Sequence, residues 1–133
     1  MEVYTLTITF PYDEADEPWS RTVEVKEEFT LKQLHKYIQE IVEFDDDHLY
    51  EFSTRRSAHS NGRAISKVRK LNEIYPLKGE KLYYLFDFGD CWLFEIKKQR
   101  KKKFVENGKK YPNLIESTGI NPEQYTEFDD EFS

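Results

Sequence analysis

The sequence of 133 residues is poor in cysteine, glycine and proline, with one Cys and five each of Gly and Pro. A single cysteine, Cys91, excludes an intrachain disulfide and a cysteine-based zinc cluster within this sequence. No stretch approaches the roughly 20 apolar residues of a transmembrane helix. The first ten residues also lack the basic and apolar regions of a signal peptide. We therefore expect a cytoplasmic protein with no membrane partner.

The sequence is rich in aromatic and charged residues. Phe, Trp and Tyr make up 16% of the sequence, and charged residues make up 35%. This apolar content is sufficient for one hydrophobic core, and the length fits one domain. The net charge of −6 conceals an uneven distribution, because residues 54–110 hold 16 bases and 6 acids whereas both flanking segments are acidic. The middle of the chain therefore carries a basic potential that can attract an acidic partner.

Residue periodicity predicts most of the secondary structure. Alternating side chains predict strands at 3–10, 19–27, 48–54 and in both halves of 82–98. Residues 29–44 show helical spacing, and Thr30 with Gln33 forms a capping box at the start of this helix. A short helical turn is predicted within 70–81. This order favours an α+β fold, a β-grasp-like (ubiquitin-like) roll with one main helix on a mixed sheet.

The C-terminal part of the chain has a different composition. The predicted β-grasp-like domain spans residues 1–110. Residues 111–133 contain six acids and no base, and Pro and Gly punctuate them. We predict a C-terminal extension with an acidic end, partly docked through Tyr111, Leu114, Ile115 and Tyr125.

Several sequence pieces carry a family resemblance. They are EPWSRTVEV (17–25), TLKQLHKYIQ (30–39), FDDDHLYEF (44–52), YYLFDFGDCWLFEI (83–96) and YPNLIESTGINPEQY (111–125). In this order they resemble the plasmid ORF-3-like family, which is also labelled an insertion-element passenger protein of the TnpR-like type. The resemblance covers nearly the whole chain and implies a β-grasp-like α+β fold carried on plasmids and other mobile elements. It brings no established activity, and the sequence shows no serine-recombinase active-site arrangement behind the TnpR label.

Two departures from the family pattern bear on metal binding. Family members often carry H-x-H where this chain has His48-Leu49-Tyr50, and they often have cysteines in the tail, where this chain has none. Both departures weaken a metal site. No cofactor is predicted.

Acidic residues interrupt the apolar segment YLFDFGDCWLFEI. The pair Gly89-Asp90 suits a type II′ hairpin turn, with Asp87 on the polar face of its strand. The alternative is a metal or acid–base site, because mixed His and carboxylate sets can perform either task. The residues of that candidate cluster are Asp45, Asp47, His48, Asp87 and Asp90. His35 lies one residue off the apolar helix stripe, and we predict a boundary position for it.

A dense set of cations predicts contact with a phosphate backbone or an acidic protein. The predicted binding residues are Arg55, Arg56, Arg63, Lys97, Lys98, Arg100, Lys101, Lys102 and Lys103. Phosphate contacts by such a run are salt-sensitive and independent of base sequence. The structural alternative is a solvated loop, and the acidic tail could also mask the basic patch. Exposed aromatic side chains beside these cations could stack nucleobases.

These patterns together predict a non-enzymatic accessory or interaction module. Its partner would be nucleic acid or an acidic protein, contacted through residues 55–70 and 97–110. One alternative is a metal-assisted enzyme built on His48, Asp87 and Asp90. Another is a protein-binding domain that adds a partner's strand to a free sheet edge. The sequence does not specify the oligomeric state.

Overall fold

In the computed structural model, the described residues are 1–10, 18–54, 64–76, 81–87 and 92–122. Within them the strands are β1 (Glu2–Thr9), β2 (Ser20–Lys26), β3 (Tyr50–Ser53), β4 (Lys81–Phe86), β5 (Trp92–Lys98), β6 (Lys103–Phe104) and β7 (Asn113–Thr118). The helices are α1 (Leu31–Val42) and α2 (Leu71–Ile74). No helix in these ranges is both long and apolar enough to cross a membrane.

The strands form one sheet in the order β3-β4-β5-β1-β2-β7, with β6 beside β1. All pairings between these described strands are antiparallel. The predicted β-grasp roll with a mixed sheet and one main helix is therefore wrong. The fold is a mostly antiparallel sheet with two short helices. A β-grasp needs a later strand parallel to β1, whereas β5 is antiparallel to β1 and places Ile96 opposite Ile8.

The direction of β5 follows from its pairing with β4. Strand β4 is antiparallel to β3, and β5 returns antiparallel to β4, with Trp92 opposite Phe86. A short connection can join neighbouring strands only in the antiparallel sense. Strand β5 therefore occupies the position beside β1 that a parallel strand would need. The predicted turn at Gly89-Asp90 lies outside the described residues.

Helix α1 begins where the sequence predicts its cap. The Thr30 hydroxyl accepts the Gln33 N–H at 3.2 Å, and the Gln33 side chain accepts the Thr30 N–H at 2.9 Å. This reciprocal pair confirms the capping box. The helix ends at Glu43, whose left-handed φ of 62° turns the following Phe44 N–H back to the Gln39 carbonyl at 3.0 Å.

One face of the sheet packs against the apolar stripe of α1 to form the hydrophobic core. Leu34 and Ile38 of the helix are fully buried in it. The sheet contributes alternate residues of its strands: Leu6, Ile8, Val23, Val25, Phe52, Leu82, Tyr84, Phe86, Phe94 and Ile96. Burying one large apolar side chain contributes about 1.5–3 kcal/mol, so this layer supplies the main stabilisation of the fold.

Strand β7 extends the sheet beyond β2, within the segment predicted as an extension. Its residues pair with β2 through the backbone ladder, while Leu114 and Ile115 remain 41% and 44% exposed. Backbone hydrogen bonds rather than these apolar side chains therefore attach the strand. Tyr125 and the acidic end lie outside the described residues, and the domain boundary at residue 110 stays a prediction.

Arg21 and Asn121 fasten the chain that leaves β7. The buried Arg21 guanidinium donates to the Gly119 carbonyl and to the Asn121 side-chain oxygen, both at 2.8 Å. The Trp19 indole N–H donates to the same oxygen at 3.2 Å. The Asn121 amide group then donates to the Ile41 carbonyl at 2.8 Å, which joins this end of the sheet to α1.

Candidate functional site

A groove lies where the end of β5 meets the beginning of β1. Its volume is about 340 Å³, and we call it the basic groove. Four cations and one carboxylate line it, together with two tyrosines. The lining residues are Glu2, Tyr4, Tyr75, Pro76, Lys97, Lys98, Gln99, Arg100 and Lys102. The groove therefore combines an excess of positive charge with aromatic surface.

Two contacts with β1 hold the cationic segment 99–102 in place. At the end of β5, the Gln99 N–H donates to the Thr5 carbonyl at 2.8 Å. Lys103 then pairs with Val3 in the ladder between β6 and β1. Because both ends of the segment are bonded to one strand, its side chains project from a defined position along β1.

Tyr4 and Tyr75 form the aromatic part of the groove. Their ring centroids are 5.7 Å apart and their planes are nearly perpendicular, at 85°. The Lys98 ammonium lies 4.7 Å from the Tyr4 ring centroid, which is within cation–π range. Burial raises the pKa of both tyrosines, and nearby carboxylates raise the pKa of Tyr4 further. Both phenols are therefore neutral near pH 7 and add no negative charge to the groove.

The described members of the predicted set of binding cations differ in their surroundings. Those that line the basic groove are Lys97, Lys98, Arg100 and Lys102. Lys101 is exposed but outside this lining, and Lys103 directs its ammonium to Glu24 at 3.2 Å. The cations that lie outside the described residues are Arg55, Arg56 and Arg63.

Glu24 is a buried carboxylate that joins β2 to the segments that follow β5. It accepts from Lys103 at 3.2 Å, from Lys109 at 2.9 Å and from the Asn113 amide at 3.4 Å. Burial alone would raise the pKa of Glu24, but the hydrogen bonds and charges of the two lysines hold it below its usual value. Lys103 therefore has a structural role, because it compensates the charge of a buried carboxylate.

The structure also brings His48 close to two of the predicted carboxylates. Its Nε2 lies 3.4 Å from an Asp47 oxygen and 3.4 Å from an Asp87 oxygen. Asp87 is only 6% exposed and has a φ of 61°, so its predicted position on a polar strand face is wrong. Asp45 is exposed, and Asp90 lies outside the described residues. Within the described part of the chain, no three His, Cys, Asp or Glu side chains are placed to hold a metal ion.

Sequence reasoning missed a buried chain of hydrogen bonds centred on His35. This histidine is 2% exposed, so its predicted boundary position is wrong. Its Nδ1 lies 2.5 Å from the Tyr84 hydroxyl, and its Nε2 lies 2.8 Å from an Asp46 oxygen. Gln39 donates to the same Tyr84 hydroxyl at 2.9 Å. The histidine ring also stacks on Tyr50, with centroids 3.5 Å apart and planes 2° from parallel.

These contacts assign the proton of the neutral histidine. Because Gln39 donates to the Tyr84 hydroxyl, that hydroxyl can donate its own hydrogen to His35 Nδ1. The Nε2–H then donates to Asp46. Burial lowers the pKa of His35, and this effect exceeds the opposite effect of Asp46. The Tyr84 hydroxyl therefore has an acceptor in His35 for its own hydrogen only when the ring is neutral.

Comparison with known proteins identifies the family of the chain. A sequence model of the family described as plasmid pRiA4b ORF-3-like protein matches residues 2–127. The chain belongs to this family. The resemblance carried by the sequence pieces is therefore confirmed.

Two relatives show how far this similarity extends. The uncharacterized protein y4hQ of Sinorhizobium fredii is 31% identical over 110 residues, which cover 77% of this chain and 56% of that protein. The chain thus spans little more than half of that relative. The crystal structure of MM3350, a protein of unknown function from Methanosarcina mazei Go1, gives a TM-score of 0.75 at 23% identity. That match covers 91% of this chain and 71% of the other, and it establishes a shared fold.

Proposed function

We propose that this plasmid ORF-3-like protein is a non-enzymatic interaction module whose basic groove binds the phosphate groups of a nucleic acid. The observation that carries the proposal is the lining of one groove by four cations and one carboxylate. A nucleic acid backbone presents closely spaced negative charges, and cations that neutralise them release condensed counterions. Such a groove favours a polyanion over a neutral ligand.

The state of the individual cations supports this proposal. Among the described residues, Lys97 and Lys102 make no ion pair, whereas Lys103 is engaged by Glu24. Lys98 contacts the Tyr4 ring and the Gln99 carbonyl, contacts that leave its charge uncompensated. Binding phosphate at these side chains would therefore not require a buried ion pair to be broken.

The test is fluorescence anisotropy of a labelled oligonucleotide titrated with the full chain at several salt concentrations. The logarithm of the affinity should fall linearly with the logarithm of salt, with a slope of about −0.7 to −0.9 for each phosphate contacted. Lys102→Ser should weaken binding. It should also reduce the steepness of this salt dependence by the amount that belongs to one phosphate contact, about 0.7 to 0.9. Salt-independent binding, or none, would contradict the proposal.

The neighbouring lysine supplies the matched control. Lys101→Ser removes the same charge one residue away but outside the groove lining. It should change the affinity less than Lys102→Ser does. Equal losses in the two variants would mean that the groove is not the binding surface. Lys103 is unsuitable for this comparison, because its removal leaves the buried Glu24 carboxylate with less compensation.

A further inference from the structure

The concave shape of the basic groove restricts the form of nucleic acid that it can accept. Proteins that recognise duplex DNA insert a helix or a two-stranded ribbon into a major groove about 12 Å wide. Here the end of β5 and the segment 99–102 border a hollow of about 340 Å³. Proteins that bind single strands use such hollows, in which a basic groove follows the backbone and aromatic rings stack on the bases.

Both components of a single-strand site come together in this groove from different elements. Tyr75 and Pro76 directly follow α2, and both line the groove with their side chains at least partly exposed. The cations come from β5 and the segment after it. A volume of about 340 Å³ is at the lower end of small-molecule sites, which span about 300–1,000 Å³. The hollow therefore suits one nucleotide unit and excludes a base pair with both of its strands.

The contacts of Tyr75 identify which of its parts a base would meet. Its hydroxyl oxygen is buried and has no hydrogen-bond partner among the described residues. Its ring contacts Tyr4 edge to face. The ring rather than the hydroxyl therefore offers surface to a ligand in the groove.

We infer that the basic groove selects single-stranded nucleic acid over duplex, an inference that rests on the proposed function. One base packs against the Tyr75 ring and Pro76. The flanking phosphates contact Lys98, Arg100 and Lys102. The base contact is sequence-tolerant, because every base has an aromatic face.

The test compares three oligonucleotides of equal length on the full chain: a natural single strand, its duplex, and a single strand with abasic sites. The natural strand should bind roughly 5- to 150-fold more tightly than the abasic strand, the range expected for one stacked base. It should also bind more tightly than the duplex. Tyr75→Phe keeps the ring and should retain this preference, whereas Tyr75→Leu should lose it. Thermal unfolding of both variants checks that they are folded.

The outcomes separate this inference from the proposed function. Equal affinity for single strand and duplex, with the salt dependence intact, overturns the inference and leaves the proposed function standing. Equal affinity for natural and abasic strands also overturns it, because binding would then use phosphates alone. This comparison needs no variant and holds even if Tyr75→Leu fails to fold. Absence of binding to all three oligonucleotides overturns the proposed function itself.

Discussion

Acidification should destabilise the fold through His35. Burial lowers the pKa of this histidine below its ordinary value of 6.5. Below pH 6.5 the unfolded chain therefore binds a proton at this residue that the folded chain does not bind. The stability contributed by the neutral ring is fully present above that pH. It is lost progressively as the pH falls from 6.5 toward the folded-state pKa.

The structure explains why the folded protein resists this proton. A proton on Nδ1 would face the Tyr84 hydroxyl, which already accepts from Gln39. The positive charges of Lys67 and Lys36 oppose a positive charge on His35, and only Asp46 favours it. A single group changes the free energy of unfolding by at most about 1.4 kcal/mol for each pH unit. This value is the upper limit for the His35 contribution to the slope.

Urea unfolding followed by tryptophan fluorescence, from about pH 7.5 to about pH 5, measures this contribution. The protein is compared with His35→Gln, which removes the titrating group and keeps His48 and the carboxylates. The variant is expected to be less stable near neutral pH, and its deficit should shrink as the pH falls, because only the unsubstituted protein loses the His35 contribution. Parallel pH profiles for the two proteins would refute the reasoning.

Three further predictions concern single side chains. Tyr84→Phe removes a hydroxyl shared by two buried polar groups, and urea unfolding should show a loss of about 1–3 kcal/mol for each group left unpaired. Thr30→Ala removes the helix cap and should cost about 1 kcal/mol, whereas Thr30→Ser should be nearly neutral in the same assay. Gly119→Ala should lower the melting temperature, because φ is +83° and a new Cβ would collide with the Pro18 carbonyl. An unchanged or raised melting temperature would contradict this last prediction.

The fold is predictable from the sequence where the information is local. The capping box at Thr30 and Gln33 locates the start of α1 to the residue. The predicted β-grasp arrangement is wrong, because alternation determines which face of a strand is buried and leaves the neighbouring strand and its direction unspecified. Strand β7 was missed for a related reason: Leu114 and Ile115 remain exposed, and the strand exists through its backbone pairing with β2.

The candidate site was predictable in composition but not in arrangement. A run of lysines is evident in the sequence, yet Lys102 lines the groove while Lys103 forms an ion pair with Glu24, which is distant in the chain. That division depends on how β6 pairs with β1. Alternation predicts a polar face for Asp87, but its positive φ ends the alternation at that residue. Tertiary pairing therefore determines which charged side chains remain available.

The two-sided pairing of β1 has a consequence for hydrogen exchange. Its amides belong to ladders with β2 on one side and with β5 or β6 on the other, so they should exchange only when the sheet opens as a whole. The amides of residues 100–102 lie between β5 and β6 and belong to neither strand. A ligand in the basic groove would slow isotope exchange in that segment against a constant background in β1. Exchange rates of the unsubstituted protein, compared with and without the ligand, would thus show where the ligand lies.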